Sequence, residues 1–292
     1  MGIPETVDYA LPTTVPDATV DWKLEPGRTA LLVHDMQIHF LKPFRGTTLL
    51  DTVFGNIRQL ASVARLSGIP VFFTAQPVDQ PPEKRGLLTD MWGPGLTGSA
   101  EGAAIAPELT PVDADTVVTK WRYDAFARTE LLDRMRTEGR DQLLVTGVYG
   151  HIGCLSTASR AFMEDIQPFV VADGIADFDQ RWHDLTLQYV AGRCGVALTT
   201  ATATSMLSPV APTTVEEVLQ QVAAALEVDP DTLSPDTNLL NEGLDSLRAM
   251  MLADNWAMAG APVDVAVLFE QPTAIAMMEA IRSAQSETAV PS

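Results

Sequence analysis

The chain is short of cysteine, of cations and of long apolar runs, and each shortage excludes something. Cys154 and Cys194 are the only thiols in 292 residues. They are too few for a disulfide framework, so a reducing cytoplasm is the expected location. No apolar stretch approaches the roughly 20 residues that a membrane helix needs. The segment Met1–Thr6 lacks the basic start and apolar core of a secretion signal. Nineteen Lys and Arg face 38 Asp and Glu, a net charge of -19, which argues against nucleic acid as a partner. Histidine is scarce too: His34, His39, His151 and His183 are scattered and read as structural, no Asp-x-His pair occurs, and no metal centre is expected.

The shortage of cations is uneven. From Thr213 to Ala284, two arginines (Arg248 and Arg282) stand against 12 acidic residues with no lysine, so this segment alone carries -10. Such a charge suits a small domain steered toward basic-faced partners. Ahead of it, from Thr29 to about Thr204, apolar strand-like runs alternate with amphipathic segments. The strand candidates are Thr29–Val33, Val71–Thr74, Thr116–Thr119, Leu143–Thr146, Phe169–Val171 and Val196–Thr199. The helical ones are Leu49–Ser67, Glu130–Glu138, Leu155–Glu164 and Trp182–Arg193. Nearly continuous β-rich runs separated by helices predict a buried, doubly wound parallel α/β sheet whose site lies at the carboxyl ends of the strands.

Ser205–Thr214, with two prolines and no periodicity, reads as a linker. Beyond it, Val215, Val218, Leu219, Val222 and Leu226 share one helical face. A second helix carries Leu247, Met250, Met251 and Trp256, its methionines read as helix packing, with Leu247, Met251 and Val265–Phe269 read alternatively as a partner-facing patch, and Ala274–Ile281 makes the last one. The expected organisation is an α/β domain over 1–204, a linker over 205–214, and a small four-helix domain over 215–285.

Four segments follow strands. Val33-His34-Asp35-Met36-Gln37 places an acid just past the first one. Thr74-Ala75-Gln76-Pro77 leads into the loop Lys84–Gly95, which holds Arg85 and Trp92. Lys120 opens Lys120-Trp121-Arg122-Tyr123-Asp124-Ala125-Phe126, and Gly147-Val148-Tyr149-Gly150-His151-Ile152-Gly153-Cys154 closes the set. In the small domain, Gly243-Leu244-Asp245-Ser246-Leu247 opens a helix, with Asp245 placed to cap it and Ser246 to start it. That run resembles the site where carrier proteins receive a phosphopantetheine arm.

Taken in order, these strings resemble the isochorismatase family, in particular its bifunctional members that serve aryl-capped siderophore assembly by nonribosomal peptide synthesis. The resemblance covers nearly the whole chain. It implies hydrolysis of the enolpyruvyl ether of isochorismate to pyruvate and 2,3-dihydro-2,3-dihydroxybenzoate. It further implies a four-helix aryl carrier domain with phosphopantetheine on Ser246. The family's Asp and Lys correspond to Asp35 and Lys120, and its substrate-contacting residues to Gln76, Arg85, Trp92 and Tyr149. Asp35 would be the general acid that protonates the vinyl ether; burial would raise its pKa and Lys120 would lower it. Arg85 suits one substrate carboxylate, while Trp92, Tyr149 and Phe44 would shield a cation-like transition state. The implied partners are a phosphopantetheinyl transferase, an aryl-acid adenylating enzyme and a condensation domain, with self-association through the α/β domain.

Three other readings stay open at this level. The same acid chemistry would cleave 2-amino-2-deoxyisochorismate. Related amide hydrolases of the fold use an Asp–Lys–Cys triad, which Asp35, Lys120 and Cys154 could supply, although thiolate attack suits a carbonyl and not a vinyl ether. A catalytically silent carrier protein would need only Ser246.

Overall fold

The computed structural model describes residues 3–98, 100–208, 210–226 and 228–288, so Met1, Gly2 and the linker residue Pro209 lie outside it. The chain divides after Leu207 into two compact units.

In the first unit six strands form one sheet: β1 (Thr29–His34), β2 (Val71–Ala75), β3 (Thr116–Thr119), β4 (Gln142–Val148), β5 (Gln167–Ala176) and β6 (Val196–Leu198). Their order is β3-β2-β1-β4-β5-β6 and every neighbouring pair is parallel. Leu31 of β1 lies between Val71 and Leu144. Its helices are α1 (Ile38–Leu41), α2 (Leu49–Leu66), α3 (Pro82–Arg85), α4 (Leu88–Trp92), α5 (Ala100–Ala103), α6 (Leu131–Thr137), α7 (Leu155–Met163), α8 (Gln180–Tyr189) and α9 (Thr200–Leu207).

The alternation along each strand feeds two cores. Leu31, Val33, Phe73 and Leu144 pack with α2 and α9 on one face, whereas Ala30, Leu32, Phe72 and Val145 pack with α6 and α7 on the other. Strands covered on both sides need apolar residues at every position, and all six residues of β1 are buried. The expected linker at 205–214 begins too early. Ser205–Leu207 is the last turn of α9, which packs on α2, and its Ala203 and Leu207 are wholly buried.

The second unit holds four helices, α10 (Val215–Leu226), α11 (Ser246–Met258), α12 (Val265–Glu270) and α13 (Ala274–Thr288). Its core gathers Val218, Val222, Leu239, Leu268, Met277 and Ile281 around Trp256, all at 0% exposure. The indole Nε1 of Trp256 donates to Gln221 Oε1 at 2.7 Å, so this buried donor is satisfied. Met250 and Met251, expected to pack within the helices, are instead exposed at 51% and 44%. Ala249, Leu252, Ala253 and Trp256 take the buried side of α11. Among the described residues no helix is long and apolar enough to cross a membrane.

Leu60 sits fully buried in α2 under the sheet. Leu60→Ala is expected to destabilise the α/β unit by about 2–5 kcal/mol, read from the urea midpoint followed by tryptophan fluorescence.

Candidate active site

β1 and β4 are neighbours at the centre of the sheet, where the strand order reverses, and ligands of such sheets bind beyond the carboxyl ends of strands at that point. Five consecutive loops deliver residues there. Asp35 follows β1, Gln76 follows β2, Lys120 follows β3, Tyr149 follows β4 and Phe178 lies just past β5. All five line one cavity of about 290 Å³.

Its floor is a buried ion pair. Lys120 Nζ donates to Asp35 Oδ2 at 2.6 Å, with Lys120 at 1% and Asp35 at 5% exposure. Thr74 Oγ1 donates to Asp35 Oδ1 at 2.7 Å, and Gln76 Nε2 reaches Oδ2 at 3.2 Å. Asp35 has φ +50°, a strained left-handed conformation for a residue with a side chain, held by its own N–H bond to Thr74 Oγ1. Gln37 fixes the neighbouring loop, since its Oε1 accepts from Gln76 N at 2.7 Å and its Nε2 donates to Gln76 O at 2.9 Å. Burial pushes the Asp35 carboxyl upward, but the Lys120 ammonium and the hydrogen bonds from Lys120 and Thr74 outweigh it and hold the group below its ordinary value. The resting carboxyl is therefore ionised.

Arg85 is also buried, at 5% exposure. Its Nε donates to Gly93 O at 2.6 Å, while Nη1 has no partner. Burial lowers the Arg85 pKa, the mark of a desolvated cation without a counter-ion. Gly95 makes room for it, because a Cβ there would stand 2.4 Å from Nη1. His39, within α1, and Lys42, just beyond it, line the same cavity. Burial first, then Lys42 and Arg85, lower the His39 pKa.

The aromatic wall is built from Trp92, whose Nε1 donates to Tyr123 Oη, and Tyr149, which donates to the Phe40 carbonyl. Phe178 sits 4.5 Å from the Tyr149 ring. Phe44, expected among the shielding groups, does not line the cavity. It is 2% exposed and stacks behind Tyr149 at 5.8 Å, because the short turn after α1 carries it into the core. His34, buried on the floor, has Nδ1 2.8 Å from Val148 O, and burial together with Lys120 pushes its pKa down to about 4.

Cys154 is wholly buried and does not line the cavity; its Sγ lies 3.9 Å from Thr146 O. Burial, then Asp177 and Asp35, push its thiol well above the ordinary value. The cavity wall is formed by Gly153 instead, where any Cβ would come within 2.1 Å of the His34 ring. The Asp–Lys–Cys arrangement thus does not assemble. Phe40, Lys42, Tyr123 and Phe178 also line the cavity without being among the expected site residues, as does His39, expected to be structural. His39 lies in the short helix α1 and Lys42 opens the turn after it, so no repeating spacing in the sequence marks the two as a pair.

In the second unit Ser246 is exposed at the first position of α11. Asp245 caps the helix by accepting from Arg248 N at 2.9 Å, and its other oxygen pairs with Arg248 Nη1 at 2.8 Å. An exposed serine hydroxyl at a helix N-terminus, beside first-turn amides, fits a phosphodiester.

Residues 29–202 match the family described as isochorismatase domain. The chain belongs to the isochorismatase family. Residues 216–281 match the family described as phosphopantetheine attachment site, which makes the helical unit a phosphopantetheine-binding domain. Among relatives, an isochorismatase of Bacillus subtilis (strain 168) is 43% identical over 291 residues, 94% of this chain and 93% of that one. Enterobactin synthase component B of Escherichia coli (strain K12) is 44% identical over 277 residues, 94% of this chain and 95% of its own length. A solved cysteine hydrolase from Pseudomonas syringae pv. phaseolicola 1448A superposes with a TM-score of 0.60 over 66% of this chain and 97% of that one. At 21% identity that likeness speaks for the isochorismatase fold alone.

Lys120→Met leaves a buried carboxylate without its cation, and a loss of about 3–5 kcal/mol is expected at neutral pH. Folding holds the Asp35 carboxyl below its unfolded value of 3.8. The pair's contribution is therefore complete above that value and is lost as the pH falls through the folded one. The gap between variant and wild type should close in acid, measured by urea unfolding across pH.

Proposed function

We propose that the protein hydrolyses the enolpyruvyl ether of isochorismate to pyruvate and 2,3-dihydro-2,3-dihydroxybenzoate, and carries an aryl acid as a thioester on phosphopantetheine at Ser246. The observation that carries the first half is a buried carboxylate hydrogen-bonded to an ammonium at 2.6 Å, facing a cavity that holds cations and no thiol. Kinship to an isochorismatase and to enterobactin synthase component B over 94% of the chain supports both halves together.

The chemistry is that of a vinyl ether. Protonation of the terminal methylene gives an oxocarbenium ion, water adds to the cationic carbon, and the hemiketal collapses to pyruvate and the ring alcohol. Asp35 delivers the proton. At rest it is a carboxylate, and the proton it needs sits on Lys120, one hydrogen bond away. A dianionic substrate entering a water-poor cavity disfavours a second negative charge on Asp35, and so drives the proton from Nζ to Oδ2 and on to carbon. When the hemiketal forms, the proton lost by the attacking water restores the pair. Gln76, bonded to the same carboxylate oxygen, keeps it turned toward the cavity. Arg85 takes a substrate carboxylate with its unpartnered nitrogen. Trp92 and Tyr149 shield the cation-like state.

Cys154 plays no part in this scheme, and its burial counts against an amide hydrolase. The phosphopantetheine thiol supplies the thioester. Ser246 offers its hydroxyl to the transferase, and the acidic small domain is steered to basic-faced adenylating and condensing partners.

Pyruvate release from isochorismate tests the first half. Asp35→Asn, isosteric and unable to hand over a proton, is expected to lower kcat by about 10²–10⁴-fold. Cys154→Ala should stay within about threefold of wild type, since a buried thiol outside the cavity contributes packing alone. Full activity in Asp35→Asn, or its loss in Cys154→Ala, refutes the assignment. For the second half, incubation with a phosphopantetheinyl transferase and coenzyme A should add one arm by mass spectrometry, and Ser246→Ala should add none.

A further inference from the structure

We propose that His39 and Lys42, together with Arg85, form the subsite that receives the ring carboxylate, the one remote from the vinyl ether. The inference rests on isochorismate being the substrate and goes beyond it by adding two residues and their partner group. Besides His34, which burial and Lys120 keep uncharged, four positions of positive or potentially positive charge line the cavity, Lys120, Arg85, Lys42 and His39, yet they are not equivalent. Lys120 is neutralised by Asp35, and that pair sits on the floor where the vinyl ether must reach. The enolpyruvyl carboxylate is attached to the reacting alkene and lies at the same end. A second carboxylate therefore needs a cationic partner elsewhere in the cavity.

The other three groups provide it. Arg85 Nη1 is buried and bonded to nothing. Lys42 is exposed and His39 half-buried, and among the described residues neither side chain forms a hydrogen bond or ion pair. Both Lys42 and Arg85 act on the imidazole electrostatically, so His39 stands within the field of the two cations. Lys42 and Arg85 gathered without a counter-ion repel each other and disfavour a proton on His39, and an entering carboxylate relieves that repulsion and favours the charged imidazole. In a chain of net charge -19 such a local excess of cations also keeps a dianion from being repelled at the entrance.

The test separates binding from chemistry. In the full-length protein, Lys42→Met and His39→Gln should each raise KM for isochorismate severalfold, and the double variant by roughly tenfold or more, with kcat within twofold and Lys42→Arg close to wild type. The ring-carboxylate methyl ester of isochorismate should show the same raised KM with wild type and no further rise with the double variant. Titration calorimetry of isochorismate into Asp35→Asn protein, with and without the two substitutions, gives the affinity loss independently of turnover. Equal affinity in the presence and absence of the substitutions, or an unchanged KM in the double variant, overturns the subsite. Absence of pyruvate from the wild type would sink the hydrolase reading instead, and the calorimetric comparison would still decide the subsite.

Discussion

A carboxylate and an ammonium, both withdrawn from water at the carboxyl edge of the sheet, set the terms for everything around them. Desolvating two charges is costly, and at 2.6 Å the attraction between them offsets that cost only with further hydrogen bonds in place. Thr74 and Gln76 provide those bonds, and Gln37 anchors the loop that carries Gln76. The left-handed backbone at Asp35 follows from the same demand, since it aims the carboxylate back across β2 and toward β3. Parallel topology makes this possible. Residues distant in sequence meet because each strand ends on the same edge of the sheet.

The pair is neutral as a unit, which solves a problem of acid catalysis in a buried place. A lone protonated Asp would need a raised pKa and a lone carboxylate would hold no proton. An ion pair sharing one proton remains stable at rest and gives up that proton when a negative charge arrives. The cations gathered above it then do separate work. The protein is strongly acidic overall, but Arg85, Lys42 and His39 line the cavity and among the described residues have no acidic partner, so basic groups are locally in excess there.

Much of this architecture was legible in the residues. Six β-rich runs marked the six strands because a sheet covered on both faces tolerates few polar residues. Asp35, Gln76, Lys120 and Tyr149 stood out because parallel sheets put function just past the strand ends, and all four line the cavity. Loop residues without periodicity were harder. Nothing in the sequence around Phe44 separates a cavity residue from a core one, and the turn after α1 buries it behind Tyr149. His39 and Lys42 carry no local pattern that distinguishes a cavity face from a solvated one. Met250 and Met251 show the converse, since a four-residue spacing cannot tell which side of α11 meets the core when alanines can fill it. The end of α9 was obscured by Ser205 and by the prolines beyond it, while the burial of Leu207 that sustains it depends on α2, far away in sequence.

The contact between Gly153 and the His34 ring bears on how chemistries diverge on this scaffold. A thiol on that stretch of wall would lie beside the ion pair of Asp35 and Lys120. Here the imidazole already fills the space a β-carbon would need, at 2.1 Å. A nucleophile cannot be acquired there by one codon change without displacing His34, which is wedged between Val148 and Tyr123. The wall of the site is thus closed to a thiol for as long as the imidazole of His34 keeps its place.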